Sequence, residues 1–252
     1  MKKVILGLCS IYFLLSSSVL ARQIVVVGGY IFPPFISQEK GNTSGITIDL
    51  IRLLNQSQEK YQFVFKLTSP KRRYKDFKGK DYDMIFFENR VWGWNKYPIL
   101  ASKVILKGGE VFIAKSATGR GQEYFKNLKN KKILGILGYH YQFAKFKSDR
   151  KFLKKYFNME LGTNHESNLN YIISRDQTAI AIVTKSFFNQ FIKKRPELKD
   201  QYLVSEKYDQ IYNHTILVRK DFSPSVREMN NFIRTLSQSH KLSGLWKKYG
   251  IE

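Results

Sequence analysis

The stretch that decides the fold is GGYIFPPFISQEKGNTSGITIDLIRLLN, Gly28 to Asn55. It follows a β-branched run, Ile24-Val25-Val26-Val27, that stops at Gly28-Gly29. An apolar run closed by glycines reads as a buried strand. Aromatics then surround a double proline: Tyr30, Phe32, Pro33, Pro34 and Phe35. Proline lacks an N–H and fixes φ, so this segment is extended and is neither a central strand nor a helix interior. Beyond a polar loop, Ile46, Leu50, Leu53 and Leu54 recur at helical spacing, with Thr47 and Asp49 placed to cap the helix. The order is strand, aromatic-proline loop, helix. Loops at the carboxyl ends of strands are where α/β sheets bind ligands, so Tyr30, Phe32 and Phe35 are candidate wall residues. Each can equally be a core ring.

Further along, Phe63-Val64-Phe65 reads as a second strand, Arg72 to Lys78 as a short basic helix, and Tyr82 to Phe87 as a strongly apolar strand. That strand empties into Glu88-Asn89-Arg90-Val91-Trp92-Gly93-Trp94. A guanidinium just beyond an apolar strand is a natural bidentate receptor for a carboxylate, which makes Arg90 a candidate, with an Arg90–Glu88 surface pair as the plain alternative. Trp92 and Trp94 can cover the apolar or flat part of a ligand, or pack between halves of the molecule. Gly108-Gly109 precedes a strand from Val111 to Ala114. Lys132 to Leu137 is another, followed by Gly138-Tyr139-His140-Tyr141 and an expected helix from Gln142 to Phe146. A glycine loop opening a helix leaves N–H groups free for an anion. The strand Ala179 to Val183 ends at Thr184-Lys185. The chain then returns through Tyr208 to Tyr212 to a strand, Thr215 to Arg219. A helix capped by Ser223-Pro224 follows, and a last helix carries Leu242, Leu245, Trp246 and Tyr249.

Taken in order from about Gln23 to Gly250, the opening strand, Tyr-x-Pro-Pro-Phe, Ser-Gly-Ile-x-x-Asp-Leu and the later segments resemble bacterial extracellular solute-binding proteins of the amino-acid-binding type. The resemblance implies an α/β, two-lobed periplasmic-binding-protein-like fold, with a mixed sheet in each lobe, helices on both faces and a two-strand hinge. It places a ligand between the lobes. Lobe one is expected to comprise 22–106 plus 211–252, and lobe two 107–210 with the hinge crossings. In that family a threonine or serine and an arginine follow the strand here formed by Tyr82 to Phe87 and grip a ligand carboxylate. Arg90, with Glu88 and Asn89 in place of the threonines, is the matching position, while Arg72 or Arg73 matches an arginine further upstream. Gly138, Tyr139 and His140 match a backbone contact. An aspartate that pairs with the ligand ammonium is replaced by Thr184. Without it, weak binding of neutral amino acids is expected, together with a preference for an anionic or hydrogen-bonding solute that has an apolar or flat portion. The resemblance also implies an ABC permease as partner, a monomer, no cofactor and no enzymatic activity. A stand-alone periplasmic sensor or sequestering protein, and a dehydratase-like enzyme, are the alternatives.

Composition supports export. Lys2-Lys3, the apolar stretch Val4 to Leu15 and the small residues up to Ala21 have the layout of a signal peptide, with cleavage expected after Ala21 and a periplasmic location for the mature chain. Cys9 is the only cysteine, so the remaining chain has no disulfide and no thiolate chemistry. The formal charge is +23. Its lysines are scattered, so it reads as a solvated surface, and no nucleic-acid partner is expected. His140, His165, His214 and His240 lack metal-ligand spacing, and no catalytic or metal motif appears.

Overall fold

The computed structural model describes residues 21–251, so residues 1–20 of the expected leader lie outside the described residues. The chain opens with β1 (Gln23–Gly29), whose Val25 and Val27 are buried, and a small hairpin, β2 (Ser37–Glu39) and β3 (Asn42–Ser44). Helix α1 (Ile46–Ser57) buries Ile46, Leu50 and Leu54, the face that its spacing predicts. Its start is not capped by Thr47 or Asp49 as expected. The aromatic-proline loop caps it instead: the Ile46 N–H donates to the Pro34 carbonyl at 3.2 Å and Thr47 N–H to that of Phe35 at 2.9 Å. This seating forces Gly45 to φ +122°, where a Cβ would meet the Phe35 carbonyl oxygen at 2.6 Å, so the position needs glycine. The loop is thereby fixed to the helix.

There follow β4 (Tyr61–Leu67), α2 (Arg73–Lys78), β5 (Met84–Glu88), β6 (Ile99–Ala101), β7 (Leu106–Lys115), β8 (Ile133–Ile136), α3 (Arg150–Phe157), β9 (Met159–Gly162), α4 (His165–Ser174), β10 (Ile180–Thr184), α5 (Lys185–Lys194), β11 (Tyr202–Arg219), α6 (Val226–Gln238) and α7 (Lys241–Lys248). The strand order is β4-β1-β5-β11-β7-β10-β8-β9, with β6 also beside β11. β1 is parallel to β4 and β5, and β8 to β9 and β10. β11 runs antiparallel to β5 and β7, and β7 to β10. Both groups of strands are therefore mixed, as the two-lobed fold requires.

The two groups are not separated by bare connections. β11 is 18 residues long and belongs to both, pairing with β7 through Tyr202 to His214 and with β5 through Thr215 to Val218. The expected crossovers near Gly108-Gly109 and Tyr208 to Tyr212 are thus one antiparallel ribbon, Tyr212 opposite Gly108 and Gln210 opposite Glu110. A Cβ on Gly109 would meet the Gln210 carbonyl oxygen at 2.5 Å, so glycine permits this close approach. In the second lobe, Val111 and Ile113 of β7 join a core with Leu169, Ile172, Phe188 and Phe191, while Phe112 and Ala114 face the other core. That alternation with both faces buried is a sheet covered on both sides.

Two further local expectations fail. Gln142 to Phe146 forms turns, not a helix, because Lys145 and Phe146 take positive φ of 53° and 57°. The cap of α6 is Ser225, not Ser223-Pro224: Ser225 and Glu228 form a reciprocal capping box. No helix among the described residues is long and apolar enough to cross a membrane.

Candidate functional site

The residues that meet at the hinge come from five segments. The loop after β1 supplies Tyr30 and Phe32, and the start of α2 supplies Arg73. The loop after β5 supplies Trp92, the loop after β8 supplies Tyr139 and His140, and the ribbon supplies Glu110, Gln210 and Tyr212. Together they enclose only about 10 Å³ of free space, roughly one water. The rings fill the rest. Phe32 lies 5.4 Å from Tyr139 and 6.1 Å from Trp92 between ring centres, and Trp92 lies 4.9 Å from Tyr212, all edge-to-face. Direct bonds hold the two sides together. Tyr139 Oη donates to the Ile31 carbonyl at 3.1 Å, and Trp92 Nε1 donates to Gln210 Oε1 at 3.0 Å.

The guanidinium of this cluster is Arg73, not Arg90. Arg73 is 1% exposed and its Nε stands 3.2 Å from Oε1 of the fully buried Glu88. That carboxylate also accepts from Trp94 Nε1 at 2.7 Å. Tyr30 and Tyr74 face the guanidinium at 4.7 and 4.5 Å, and its Nη1 donates to the carbonyls of Pro70 and Gly138. Burial is the largest influence and opposes the Arg73 charge, but Glu88 and the surrounding tyrosines Tyr30, Tyr74 and Tyr82 together outweigh it, so the group is held charged. Burial raises the Glu88 carboxyl, against Arg73 and the Trp94 N–H. The alternative Arg90–Glu88 pair does not form: Glu88 is paired with Arg73, and Arg90 is exposed. Arg90→Ala is accordingly expected to change unfolding free energy by less than about 0.5 kcal/mol. A denaturation curve displaced further than that would place Arg90 in a structural network.

A second anion receptor is also filled from within. The N–H groups of Gln142 and Phe143, expected to be free at a helix start, both donate to the Asp209 carboxylate at 2.9 Å. Burial still raises the Asp209 carboxyl above its ordinary range. Glu110 has neither the cation that Glu88 faces nor the pair of backbone N–H groups that Asp209 accepts from. It is 1% exposed and receives one amide bond, from Gln210 Nε2 at 2.8 Å. Burial, then the nearby Asp209 charge, pushes it up to about 8. In the ladder Glu110 is the register partner of Thr184, so the carboxylate absent after β10 is present one strand over. His140 is pulled down to about 3 by burial and then by Arg73, which leaves it neutral; its Nδ1 is buried without a hydrogen-bond partner.

Of the residues singled out from the sequence, Tyr30, Phe32, Trp92, Tyr139 and His140 come together. Glu88 and Trp94 lie behind them, supporting Arg73, and Gly138 offers it a carbonyl at φ +85°. Phe35 packs on Phe87 and His214 and, with Thr184, lines a separate groove beside Gly108-Gly109. Asn89 is half-buried and accepts from the Val91 N–H at 3.3 Å. Glu110, Gln210 and Tyr212 escaped sequence reasoning. A lone carboxylate opening the apolar strand Val111 to Ala114 was the available signal. Among the described residues no group of three or more His, Cys, Asp or Glu is placed to hold a metal.

Residues 24–252 match the model of the bacterial extracellular solute-binding proteins, family 3. The chain belongs to that family. No curated protein sequence matches it. Among solved structures it is similar to an ancestral arginine-binding protein bound to arginine, with 16% identity, a TM-score of 0.67, and coverage of 90% of this chain and 98% of that one. It is also similar to a substrate-binding protein of an ABC uptake transporter from Streptococcus pneumoniae with bound histidine, at 15% identity and TM-score 0.69, covering 90% and 92%. The ancestral amino-acid-binding protein AncCDT-1, a precursor of cyclohexadienyl dehydratase, matches at 14% identity and TM-score 0.67, covering 90% and 94%. At these identities the likeness shows the fold. The nine residues gathered above lie where the ribbon joins the two groups of strands, and their own rings fill the space between them.

Proposed function

We propose that this solute-binding protein captures a small polar solute at the hinge cleft in the periplasm and delivers it to an ABC importer. The observation that carries the reading is the convergence of Tyr30, Phe32, Arg73 and Trp92 from one lobe with Tyr139 and His140 from the other, against Glu110, Gln210 and Tyr212 of the ribbon. A cluster that large, aromatic and charged, sits where lobe rotation would open and shut it. The space between the rings is too small for a solute in this closed arrangement. Entry therefore requires the Tyr139–Ile31 and Trp92–Gln210 bonds to part, and the solute replaces ring–ring contacts with its own. Binding by a hinged pair of lobes also supports release, since each lobe alone holds only half of the contacts.

The anion slot expected at Arg90 is not part of this reading, because the cleft guanidinium already holds Glu88. The test uses protein recovered from the exported fraction. Small molecules released on denaturation are identified by mass spectrometry, and the compound is added back while the radius of gyration is followed by X-ray scattering. A solute retained in stoichiometric amount, with a compaction on rebinding, is expected. A chain that comes out empty and keeps one shape against a broad panel of solutes sinks the proposal.

A further inference from the structure

The buried charges of the cleft do not match those of the surface. The chain as a whole carries +23. Inside the cleft and its immediate wall there is one cation, Arg73, against three carboxyl groups: Glu88, Asp209 and Glu110. Two of the three are spoken for. Glu88 holds Arg73, and Asp209 holds the Gln142 and Phe143 N–H groups. Both places where this cleft could receive a ligand carboxylate are consequently filled by the chain's own carboxylates. The carboxyl group left without a cation or backbone donors is that of Glu110.

The surroundings of Glu110 suit a cation. Tyr30, Phe32, Trp92, Tyr139 and Tyr212 line the same space, and aromatic faces attract ammonium groups through their quadrupoles, most strongly when water is excluded. His140 adds an unpartnered ring nitrogen at 7% exposure, and Gln210 an amide oxygen that Trp92 already orients. Arg73 is the one repulsive group, and Glu88 at 3.2 Å cancels its charge at close range. We propose that the cleft takes an organic ammonium ion that lacks a carboxylate, with Glu110 as its counter-ion and the five rings as its cage. This rests on the solute-binding reading above and adds the ligand's charge class. The groups facing Glu110 are Asp209, Gln210 and Tyr212 from β11, and Tyr139, His140 and Tyr141 from the loop after β8. The one cation lining the same space, Arg73, is paired with Glu88, so an entering ammonium would take the place of the Glu110 proton.

Three probes separate charge from shape: choline, its uncharged isostere 3,3-dimethylbutan-1-ol, and L-glutamate. Titration of residues 22–252, read by calorimetry and by Trp92 fluorescence, is expected to give choline at least tenfold tighter than either of the others. Near pH 7 the choline titration should release protons, seen as different heats in buffers of different ionisation enthalpy. Glu110→Gln, which keeps the size of the side chain, should weaken choline at least tenfold and abolish the proton release. Should that variant not fold, the comparison of the three probes on the unmodified chain decides alone. The isostere binding as tightly as choline, glutamate binding tighter, or choline failing to bind each overturns the proposal. If a neutral or anionic compound is then recovered from the exported protein, only the charge class is wrong and solute capture stands. If no compound is recovered and none binds, solute capture falls as well.

Discussion

Arg73→Ala is expected to lower the unfolding free energy by about 3–5 kcal/mol, the usual effect of stripping one partner from a buried ion pair. The arginine is 1% exposed and Glu88 is wholly buried, so no solvent is at hand to rehydrate the abandoned carboxylate. The loss should exceed what alanine substitution does to an exposed lysine such as Lys129. Two accompanying results identify the cause. Arg73→Met combined with Glu88→Gln should recover most of the loss, because the glutamine oxygen can still accept the Trp94 N–H that Glu88 now accepts at 2.7 Å. The deficit of Arg73→Ala should also shrink as pH falls towards the ordinary carboxylate range, since a neutral Glu88 needs no counter-charge. Urea denaturation at pH 5 and pH 7.5 measures all three. A loss below about 1 kcal/mol, independent of pH, would mean that the pair contributes little.

The position of that pair shows where sequence reading reached and where it stopped. The opening strand, α1, β5 and β10 were legible because their apolar periodicity is strong and each buries the face that it predicts. Tyr30, Phe32 and Trp92 were legible as cleft rings because aromatic loops follow strand ends. What failed was anything decided by a partner far away in the chain. Arg90 and Arg73 flank the same apolar strand, and only the tertiary seating of α2, with Arg73 paired to Glu88, puts Arg73 inside while Arg90 stays in water. The free N–H groups expected at Gln142 were lost to Asp209, 67 residues later. Glu110 looked like an ordinary residue at a crossover. Its meaning comes from the β7–β11 ribbon, which continues through the hinge and seals it from solvent. The local helix at Gln142 to Phe146 failed further along, where Lys145 and Phe146 take positive φ of 53° and 57° and break the helical path.

Stability as a function of pH is expected to peak near pH 6.5, and the two flanks of that peak have different owners. On the acid side stand His140, His165 and His214, each buried and each pulled down to about 3, chiefly by burial. Their neighbours offer no carboxylate that would keep them charged: Arg73 and Tyr74 face His140, Thr184, Phe187 and Tyr139 face His165, and the Phe87 carbonyl and aromatic rings face His214. Below about 6.5 the unfolded chain binds protons that the folded chain refuses, so stability falls as pH is lowered, by about 1.4 kcal/mol per pH unit for each histidine. Glu110 works in the opposite direction. Its carboxyl sits at about 8 when folded and near 4.5 when exposed, so the folded chain holds an extra proton between those values. The stability this gives is complete below 4.5 and is lost as pH rises through 8, again about 1.4 kcal/mol per unit. Below 6.5 three histidines outweigh one glutamate and the net slope is positive; above 6.5 the histidines are neutral in both states and the glutamate is left alone. Between pH 6.5 and 8 the protein should therefore lose about 2 kcal/mol. Denaturant unfolding at half-unit steps from pH 5 to 8.5 checks both flanks, and Glu110→Gln should flatten the alkaline one while leaving the acid one in place. Stability that keeps climbing from pH 6.5 to 8 in the unmodified chain would mean that Glu110 is not held protonated in the closed cleft, and the counter-ion vacancy inferred there would go with it.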